Sequence, residues 1–374
     1  MKRHVVQFLV LGIIVMMAAC APSLPTIEES LQSPLPTDTP VSGIETPSVV
    51  ASKIDAALSH LVNTQAFTGS VLVAQDGEIL LSKGFGLADR NNNIPNTSET
   101  KFRLGSVTKQ FTAMAIMMLQ AQGKLDVQDP VCNYIPDCPT AWKAITLHHL
   151  LVHTSGIPNF TSRVDYANTQ ATPSSPEETI ARFKDQPLDF HPSDEWRYSN
   201  SGYILLGYII EQVSGQSYEA FLRQNIFEPL EMQNTGYDHD DGSLATGYAN
   251  STTEAEYIDM SIPYAAGALY STVEDLYRWD QALYTEQLLS QDLLNLIFTP
   301  HSPTDIDTSY GYGWEMGVLN NHSVVFHGGN IEGFAAEIRR YINDKTTIIV
   351  LSNQQNLRVN EITDSIAALV FGEN

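Results

Sequence analysis

The stretch Gly105-Ser106-Val107-Thr108-Lys109-Gln110-Phe111 opens an apolar run that stops at Gly123. This pattern predicts a buried helix with Ser106 and Lys109 in its first turn, and residues three apart share one helical face. A serine hydroxyl is a weak nucleophile unless a neighbour accepts its proton, and a partly desolvated lysine can become the neutral amine that does so. Taken alone, Ser-x-x-Lys equally fits an N-capping serine beside a solvated lysine. The rest of the chain decides between these interpretations.

A second group of candidate residues, Tyr198-Ser199-Asn200, lies directly before an apolar helix that stops at Gly215. Alternate residues of an extended stretch point the same way, so Tyr198 and Asn200 should face one site together. A phenol near a cationic lysine can lose its proton below its usual pKa of about 10 and act as a general base. The Asn200 amide could hold a substrate carbonyl. In isolation, both residues equally fit ordinary helix capping.

The third candidate segment is Phe326-His327-Gly328-Gly329-Asn330, at the end of a predicted strand. Glycines in a strand allow another backbone to approach closely, and a backbone N–H after them can form an oxyanion hole with that of Ser106. An imidazole has an unperturbed pKa near 6.5. We therefore predict that titration of His327 gives a step in the pH dependence of acylation between about 5.5 and 7.5. The alternative is a histidine that only packs the strand end.

The N-terminus has the features of an export signal. A basic head precedes an apolar run from Val5 to Ala19, which is too short for a spanning helix. Cys20 follows small residues, which resembles a bacterial lipoprotein cleavage site, and we expect residues 1–19 to be removed and Cys20 to be lipidated. An ordinary signal peptide cut nearby is the alternative. Residues 20–50 are rich in Pro, Ser and Thr and predict a disordered tether to a bacterial cell membrane, with the folded domain outside the cytoplasm.

Removal of Cys20 leaves Cys132 and Cys138, an even pair in an oxidising compartment, and we predict a disulfide between them. The three histidines His148, His149 and His153 suggest a metal site, but the Glu of a zinc protease motif does not follow the first of them. The sequence therefore predicts no metal and no cofactor.

The chain is strongly acidic, with a formal charge of -23 from 20 basic and 43 acidic residues. This charge argues against binding to nucleic acid and to anionic lipid headgroups, so membrane attachment would come from the acyl anchor. The acidic run at 238–242 lacks the spaced ligands of a calcium loop and is interpreted as a solvated loop. A monomer is expected.

The pattern of apolar residues predicts an α+β domain over residues 51–374. Short loops link the strands within each terminal group, so we expect an antiparallel sheet of about five strands built from both chain ends and flanked by helices. The sheet lobe is predicted at about 51–105 and 305–374, with an inserted, mainly helical lobe at about 106–304. The predicted elements are a helix at 51–63, strands at 69–74, 78–83, 323–326, 334–341 and 346–351, and a helix at 359–371.

From about residue 50 to 370, the chain resembles the serine β-lactamase and penicillin-binding superfamily. The branch in question holds class C β-lactamases, D-alanyl-D-alanine carboxypeptidases, D-aminopeptidases and related esterases. The segments that carry the resemblance are Gly105–Lys109, Leu150–Pro158, Tyr198–Tyr203, Ala265–Leu276 and His327–Gly329. The resemblance implies a β-lactamase/transpeptidase-like fold and assigns a role to each matching residue. Ser106 corresponds to the acylated nucleophile, Lys109 to its proton partner and Tyr198 to the general base. Asn200 corresponds to a ligand of the substrate side chain, and His327 to the Lys or His of the third motif. Oxyanion or substrate binding is assigned to Ser106, Gly328, Gly329 and Asn330.

The resemblance implies an exported serine hydrolase that acts through an acyl-enzyme on a small-molecule or peptide amide or ester. A D-Ala-D-Ala-type peptide or a β-lactam is expected first, with a carboxylesterase or D-aminopeptidase as the alternative. In relatives that bind a free carboxylate, a hydroxyl residue commonly stands where this chain has Gly328, and residues 312–317 contain no Arg. These departures favour ester or amino-terminal D-peptide substrates. A non-catalytic envelope-binding lipoprotein is the alternative of another class, and the complete set of candidate catalytic residues argues against it.

Overall fold

The computed structural model describes residues 46–305, 307–319 and 321–373. The predicted signal peptide at 1–19, the predicted lipidation site Cys20 and most of the predicted tether lie outside these residues. Within the described ranges, no helix has both the length and the apolar character needed to cross a membrane.

The described ranges contain both helices and strands, numbered separately in chain order. The helices are α1 Pro47–Asn63, α2 Thr108–Ala121, α3 Leu147–Leu151, α4 Pro176–Ala181, α5 Asn200–Ser214, α6 Tyr218–Leu222, α7 Tyr264–Gly267, α8 Val273–Ala282, α9 Gln291–Ile297 and α10 Val359–Phe371. The strands are β1 Gly69–Gln75, β2 Glu78–Phe85, β3 Leu87–Asp89, β4 Ile94–Pro95, β5 Phe102–Arg103, β6 Gly236–Tyr237, β7 Leu269–Ser271, β8 Ser302–Asp305, β9 Thr308–Tyr310, β10 Glu315–Leu319, β11 His322–Ile331, β12 Phe334–Tyr341 and β13 Thr346–Ser352.

The main sheet has eight strands in the order β2-β1-β13-β12-β11-β10-β9-β8, and all neighbours are antiparallel. This confirms the predicted α+β class and the joining of both chain ends in one antiparallel sheet. The predicted number of about five strands is wrong, because β8, β9 and β10 extend the sheet at one edge. These three strands are short, and Pro303 and Gly317 interrupt the alternation of apolar residues by which a strand is recognised.

Side chains of the central strands alternate between two apolar cores. Val71 and Val73 face the core beneath α1 and α10, whereas Leu72 and Ala74 face the core shared with the helical part of the chain. This follows from the two-residue period of a strand, because successive side chains point to opposite faces. β11 follows the same rule, with Val324 in the first core and Val325 in the second, so His327 lies on the face that carries Val325.

Helix α2 lies at the centre of the second core. Its residues from Thr108 to Leu119 are all buried, as expected for a helix that is apolar on every side. A short 3-10 turn at Gly105–Val107 precedes it, so Ser106 stands in this turn and Lys109 at the start of α2. In the loop after α2, the structure joins Cys132 and Cys138 in a disulfide.

Candidate active site

Ser106 and Lys109 lie side by side at the start of α2. Lys109 is fully buried, and its Nζ is 3.1 Å from Ser106 Oγ. The same Nζ donates to Asn200 Oδ1 and to the carbonyl oxygen of Ala266, each at 2.8 Å. Three elements that are distant in sequence, α2, α5 and α7, therefore meet at one amine.

The surroundings of Lys109 favour its neutral form. Burial lowers the pKa of Lys109 well below its usual value. A neutral amine has two N–H groups and one lone pair, and Nζ has two pure acceptors and one hydroxyl around it. The N–H groups then serve Asn200 and Ala266, while the lone pair accepts the Ser106 O–H. This is the arrangement that a general base for Ser106 requires.

Tyr198 is the second partner of the nucleophile. Its hydroxyl donates to Ser106 Oγ at 2.8 Å, and burial raises the pKa of Tyr198 above its usual value. The tyrosine is therefore a neutral phenol at rest. The sequence-based expectation of a phenolate base is not supported, because it took account of the lysine but not of the burial of both groups. Lys109 is the better base, and Tyr198 is placed to deliver a proton.

His153 holds the Tyr198 ring in place. The two ring centroids are 4.4 Å apart, and Nδ1 of His153 accepts the backbone N–H of Ser199 at 3.2 Å. The sequence analysis placed His153 in a structural segment and missed this contact. Its neighbours His148 and His149 bond Tyr312 and Ser193 instead. In the described ranges, no group of three or more His, Cys, Asp or Glu side chains is placed to hold a metal ion.

His327 lies behind the site and is buried. Its Nδ1 donates to the carbonyl oxygen of Gly328 at 2.6 Å, so Nε2 accepts the Tyr310 hydroxyl at 2.8 Å. Burial is the main cause that lowers the pKa of His327, to about 3. The predicted titration between 5.5 and 7.5 is therefore wrong for this environment. The Tyr198 and His327 ring centroids are 6.4 Å apart, so His327 supports the tyrosine rather than reaching Ser106.

Gly329 lets β11 lie directly against the nucleophile's turn. A Cβ at Gly329 would be 2.0 Å from the carbonyl oxygen of Leu104 and 3.1 Å from the backbone nitrogen of Ser106. A side chain cannot fit at these distances, so glycine is required. Gly328 differs, because a Cβ there would meet only the carbonyl oxygen of Ala336, at 3.8 Å.

The backbone N–H of Asn330 is free to face a substrate. Ile331 and Phe334 form a hydrogen-bonded pair on either side of the two-residue turn Glu332-Gly333. Because the two kinds of pair alternate along antiparallel strands, the next pair, Asn330 and Ala335, is a non-hydrogen-bonded pair. The Asn330 N–H therefore points away from β12, and β10 pairs with β11 only as far as Phe326. Together with the Ser106 N–H, it gives the two donors that were predicted for an oxyanion hole.

A cavity of about 370 Å³ opens beside Ser106. Asn200 and Asn330 contribute to its wall, and Asn200 is oriented by Nδ2, which donates to Thr161 Oγ1 at 3.0 Å. Glu332 also lines this cavity, whereas Gly328 does not, and Gly328 lies on the opposite face of β11 from His327.

The structure thus connects four of the predicted site residues by hydrogen bonds, whereas His327 and Gly328 belong neither to this set nor to the cavity wall. Ser106, Lys109, Tyr198 and Asn200 form the connected set, and Gly329 and Asn330 flank it. The sequence analysis missed several residues that act through these, because no local pattern marks a residue that becomes a neighbour only on folding. They are His153, Thr161, Tyr310 and Glu332.

Comparisons with known proteins identify the family of this chain and several of its relatives. The family model described as Beta-lactamase matches residues 54–371. Penicillin-binding protein 4* of Bacillus subtilis (strain 168) is 32% identical over 315 residues, which cover 77% of this chain and 68% of that protein. Teichoic acid D-alanine hydrolase of Staphylococcus aureus is 27% identical over 318 residues, which cover 83% and 77%. The solved structure of D-amino acid amidase from Ochrobactrum anthropi SV3 complexed with L-phenylalanine amide gives a TM-score of 0.77 at 25% identity, covering 87% of this chain and 99% of that one.

Proposed function

Because the chain belongs to the Beta-lactamase family and is a serine hydrolase of that family, we propose that it hydrolyses amides or esters of D-amino acids through an acyl-enzyme on Ser106. The observation that carries this proposal is the lining of the cavity beside Ser106. In the part of the chain that the structure describes, no Lys or Arg lines it, so a substrate carboxylate finds no cationic partner there. The names of two relatives, a D-alanine hydrolase and a D-amino acid amidase, support a D-aminoacyl substrate.

Acylation uses the hydrogen bonds already formed around Ser106. Its Oγ attacks the substrate carbonyl carbon while its proton passes to the neutral Nζ of Lys109. The N–H groups of Ser106 and Asn330 donate to the oxyanion that develops. Collapse breaks the bond to the leaving amine or alcohol, which takes the Tyr198 proton, and Tyr198 is reprotonated from Lys109.

Deacylation follows the same proton path with water in place of the leaving group. Lys109 accepts a proton from the attacking water, and the new C–O bond forms at the acyl carbonyl. The ester bond to Ser106 then breaks, and Ser106 Oγ takes a proton from Tyr198. Lys109 then returns its proton to Tyr198, so both side chains are neutral again. The carboxylic acid product is released.

A D-Ala-D-Ala-type peptide or a β-lactam is the second candidate, and the penicillin-binding relative favours it. Recognition of the free carboxylate in these compounds would need a cation or a hydroxyl beside the oxyanion strand. Gly328 has no hydroxyl and lies outside the cavity, so this candidate has less support from the geometry.

The test is turnover of five compounds by the wild type and by Ser106→Ala. They are the p-nitroanilides of D- and L-alanine, an acylated L-Lys-D-Ala-D-Ala peptide, nitrocefin and p-nitrophenyl acetate. We expect hydrolysis of the D-alanine compound in preference to its enantiomer, and we expect Ser106→Ala to lose several orders of magnitude in rate. Turnover confined to the peptide or to nitrocefin would contradict the proposal and favour the second candidate.

We also propose that the chain is exported and held at a bacterial membrane by a lipid on Cys20. The support comes from the sequence alone, from the basic head, the apolar run and the small residues before this cysteine.

A further inference from the structure

We propose that Glu332 binds a cationic ammonium group of the substrate, so that the cleft selects acyl donors with a free amine over those with a blocked one. This inference rests on the proposed function and defines its substrate class further. Glu332 lines the same cavity as Ser106. A cavity of 370 Å³ is close to the lower end of ligand sites, roughly 300–1,000 Å³, and so has room for one small ligand, with its reacting carbonyl placed at Ser106 and its ammonium at Glu332.

Glu332 is the charged residue of this cavity wall within the described ranges, and its carboxylate has no basic partner there. The nearby Arg103 is occupied, because its Nε is 2.6 Å from Asp238 Oδ2 and its Nη2 is 3.8 Å from Asp240 Oδ1. Burial raises the pKa of Glu332, and its own backbone N–H and the charge of Arg103 offset this only in part. A substrate ammonium would supply the remaining compensation through a charge-assisted hydrogen bond.

The backbone around Glu332 is held at a fixed place relative to the oxyanion hole. Glu332 is the first residue of the turn after β11 and follows Asn330 by two residues, so a short backbone segment joins it to the oxyanion donor. Gly333, the next residue of the turn, has a φ of +84°, and a Cβ there would lie 2.6 Å from Gly247 Cα. The carbonyl of Gly333 accepts the N–H of Tyr248 at 3.3 Å. The carboxylate is thus presented from a preorganised turn, which lowers the entropic cost of binding.

The electrostatic surroundings favour a cation over an anion. The groove next to the cavity shares Glu332 with it and contains more acidic than basic residues. The acidic ones are Asp89, Glu99, Asp238, Asp240, Glu254 and Glu256, and the basic ones are Lys101 and Arg103. Their summed field attracts an ammonium to the cleft and opposes a substrate carboxylate.

The test compares D-alanine p-nitroanilide with its N-acetyl derivative, which has the same leaving group but no charge, at about pH 6.5, where the α-amino group is protonated. We expect Glu332→Gln to lower the ratio of kcat/KM for the charged over the blocked compound at least tenfold, as loss of one charge-assisted hydrogen bond requires. Glu256→Gln is the matched control, because Glu256 lines the groove but not the cavity, and its ratio should stay as in the wild type. An unchanged ratio in Glu332→Gln, or an equal loss for both compounds, would refute the ammonium site.

A second measurement separates this proposal from the proposed function. If neither D-alanine compound is hydrolysed, the proposed function fails, and Glu332 is tested through inhibition of p-nitrophenyl acetate hydrolysis. D-Alaninamide should then inhibit the wild type at least tenfold more strongly than N-acetyl-D-alaninamide, and Glu332→Gln should remove this difference. Equal inhibition of the wild type by the two amides would refute the ammonium site.

Discussion

Two adjacent glycines of β11 have opposite surroundings, and this difference gives a prediction for single residues. A methyl group at Gly329 would overlap the Leu104 carbonyl oxygen and push β11 away from Ser106, which would separate the two oxyanion donors. We expect Gly329→Ala to lower kcat/KM about a hundredfold or more, the usual result of losing such a donor. The measurement is steady-state hydrolysis of p-nitrophenyl acetate.

Gly328→Ala is the control for this change. A Cβ at Gly328 has no neighbour closer than 3.8 Å, so the alanine variant should have nearly wild-type activity. Equal losses in both variants would show that the segment needs glycine for flexibility, and the explanation by close approach would then be wrong.

A half-buried carboxyl next to the site gives a prediction of pH dependence. Burial, together with the neighbouring Glu337, raises the pKa of Glu315 to about 7. The folded state therefore holds this proton more tightly than the unfolded chain, where a Glu has a pKa of about 4.3. The resulting stability is fully present below about pH 4.3 and is lost as the pH rises through 7. Between pH 5 and pH 8 this loss is roughly 3 kcal/mol.

Urea unfolding at pH 5 and pH 8 measures this effect. Glu315→Gln should lose less free energy of unfolding between the two pH values than the wild type, because its side chain stays neutral throughout. Glu78→Gln is the control, since Glu78 is exposed on β2 and its replacement should preserve the wild-type pH dependence. The same dependence in Glu315→Gln and the wild type would show that water reaches the carboxyl.

The identities of the reacting residues could be predicted from the sequence, but their protonation could not. Ser106, Lys109, Tyr198 and Asn200 stand in short segments whose spacing indicates a shared site, and the structure connects them. Whether Lys109 or Tyr198 is the base depends on how far each is removed from water. Burial of this kind comes from α5 and α7 closing over α2, so no local pattern reveals it.

At the scale of elements, the strands that are buried along most of their length were predictable and the edge strands were not. The strands β1, β12 and β13 lie close to the predicted ranges because both of their faces are buried, and the partly exposed β2 follows β1 after a short loop. At the edge, β10 pairs with β11, β9 with β10 and β8 with β9, and such edge pairing tolerates polar residues and a proline.

A buried ion pair connects helix α8 to the sheet and provides a prediction for this element. Asp280 on α8 is fully buried, accepts a hydrogen bond from Arg340 on β12, and accepts the Thr347 hydroxyl at 2.7 Å. Asp280→Asn would leave the buried Arg340 without a counter-charge, and we expect a loss of about 3–5 kcal/mol in the free energy of unfolding.

The comparison for Asp280→Asn is an exposed pair of the same residue types. Asp165 accepts from Arg163 at 3.0 Å, but both side chains are largely exposed, so Asp165→Asn should cost less than about 1 kcal/mol. Urea unfolding followed by circular dichroism measures both. Similar costs for the two variants would mean that Asp280 does not connect α8 to β12 as described.

At the scale of the whole molecule, strands from both ends of the folded domain form the sheet that positions the oxyanion donor of Asn330. β1 comes from the start of the domain and β13 from its end, and their pairing joins the two groups of strands into one sheet. This sheet fixes the position of β11 beside the turn that carries Ser106, although the long helical segment separates the two in sequence. The sequence indicates that the terminal groups join, since the two-stranded N-terminal hairpin is too small to be stable alone.

The net charge of the whole chain bears on how it would stay at a membrane. A protein with a charge of -23 is repelled by anionic headgroups, and the described residues contain no helix suited to crossing the bilayer. A covalent lipid on Cys20 would anchor the chain despite this repulsion. We expect the protein made in a bacterial host to incorporate labelled fatty acid and to enter the detergent phase of a cell extract. Cys20→Ser should remove the label.

Cys132→Ser is the matched control for this experiment, because it also replaces one cysteine but lies in the disulfide within the folded domain. This variant should keep the fatty-acid label, although loss of the disulfide should lower the free energy of unfolding by roughly 2 kcal/mol or more. Label that persists in Cys20→Ser, or a wild type that stays in the aqueous phase without label, would contradict lipidation at Cys20. In the second case, an ordinary signal peptide cut nearby would explain the N-terminal pattern, because its basic head and apolar run would be the same.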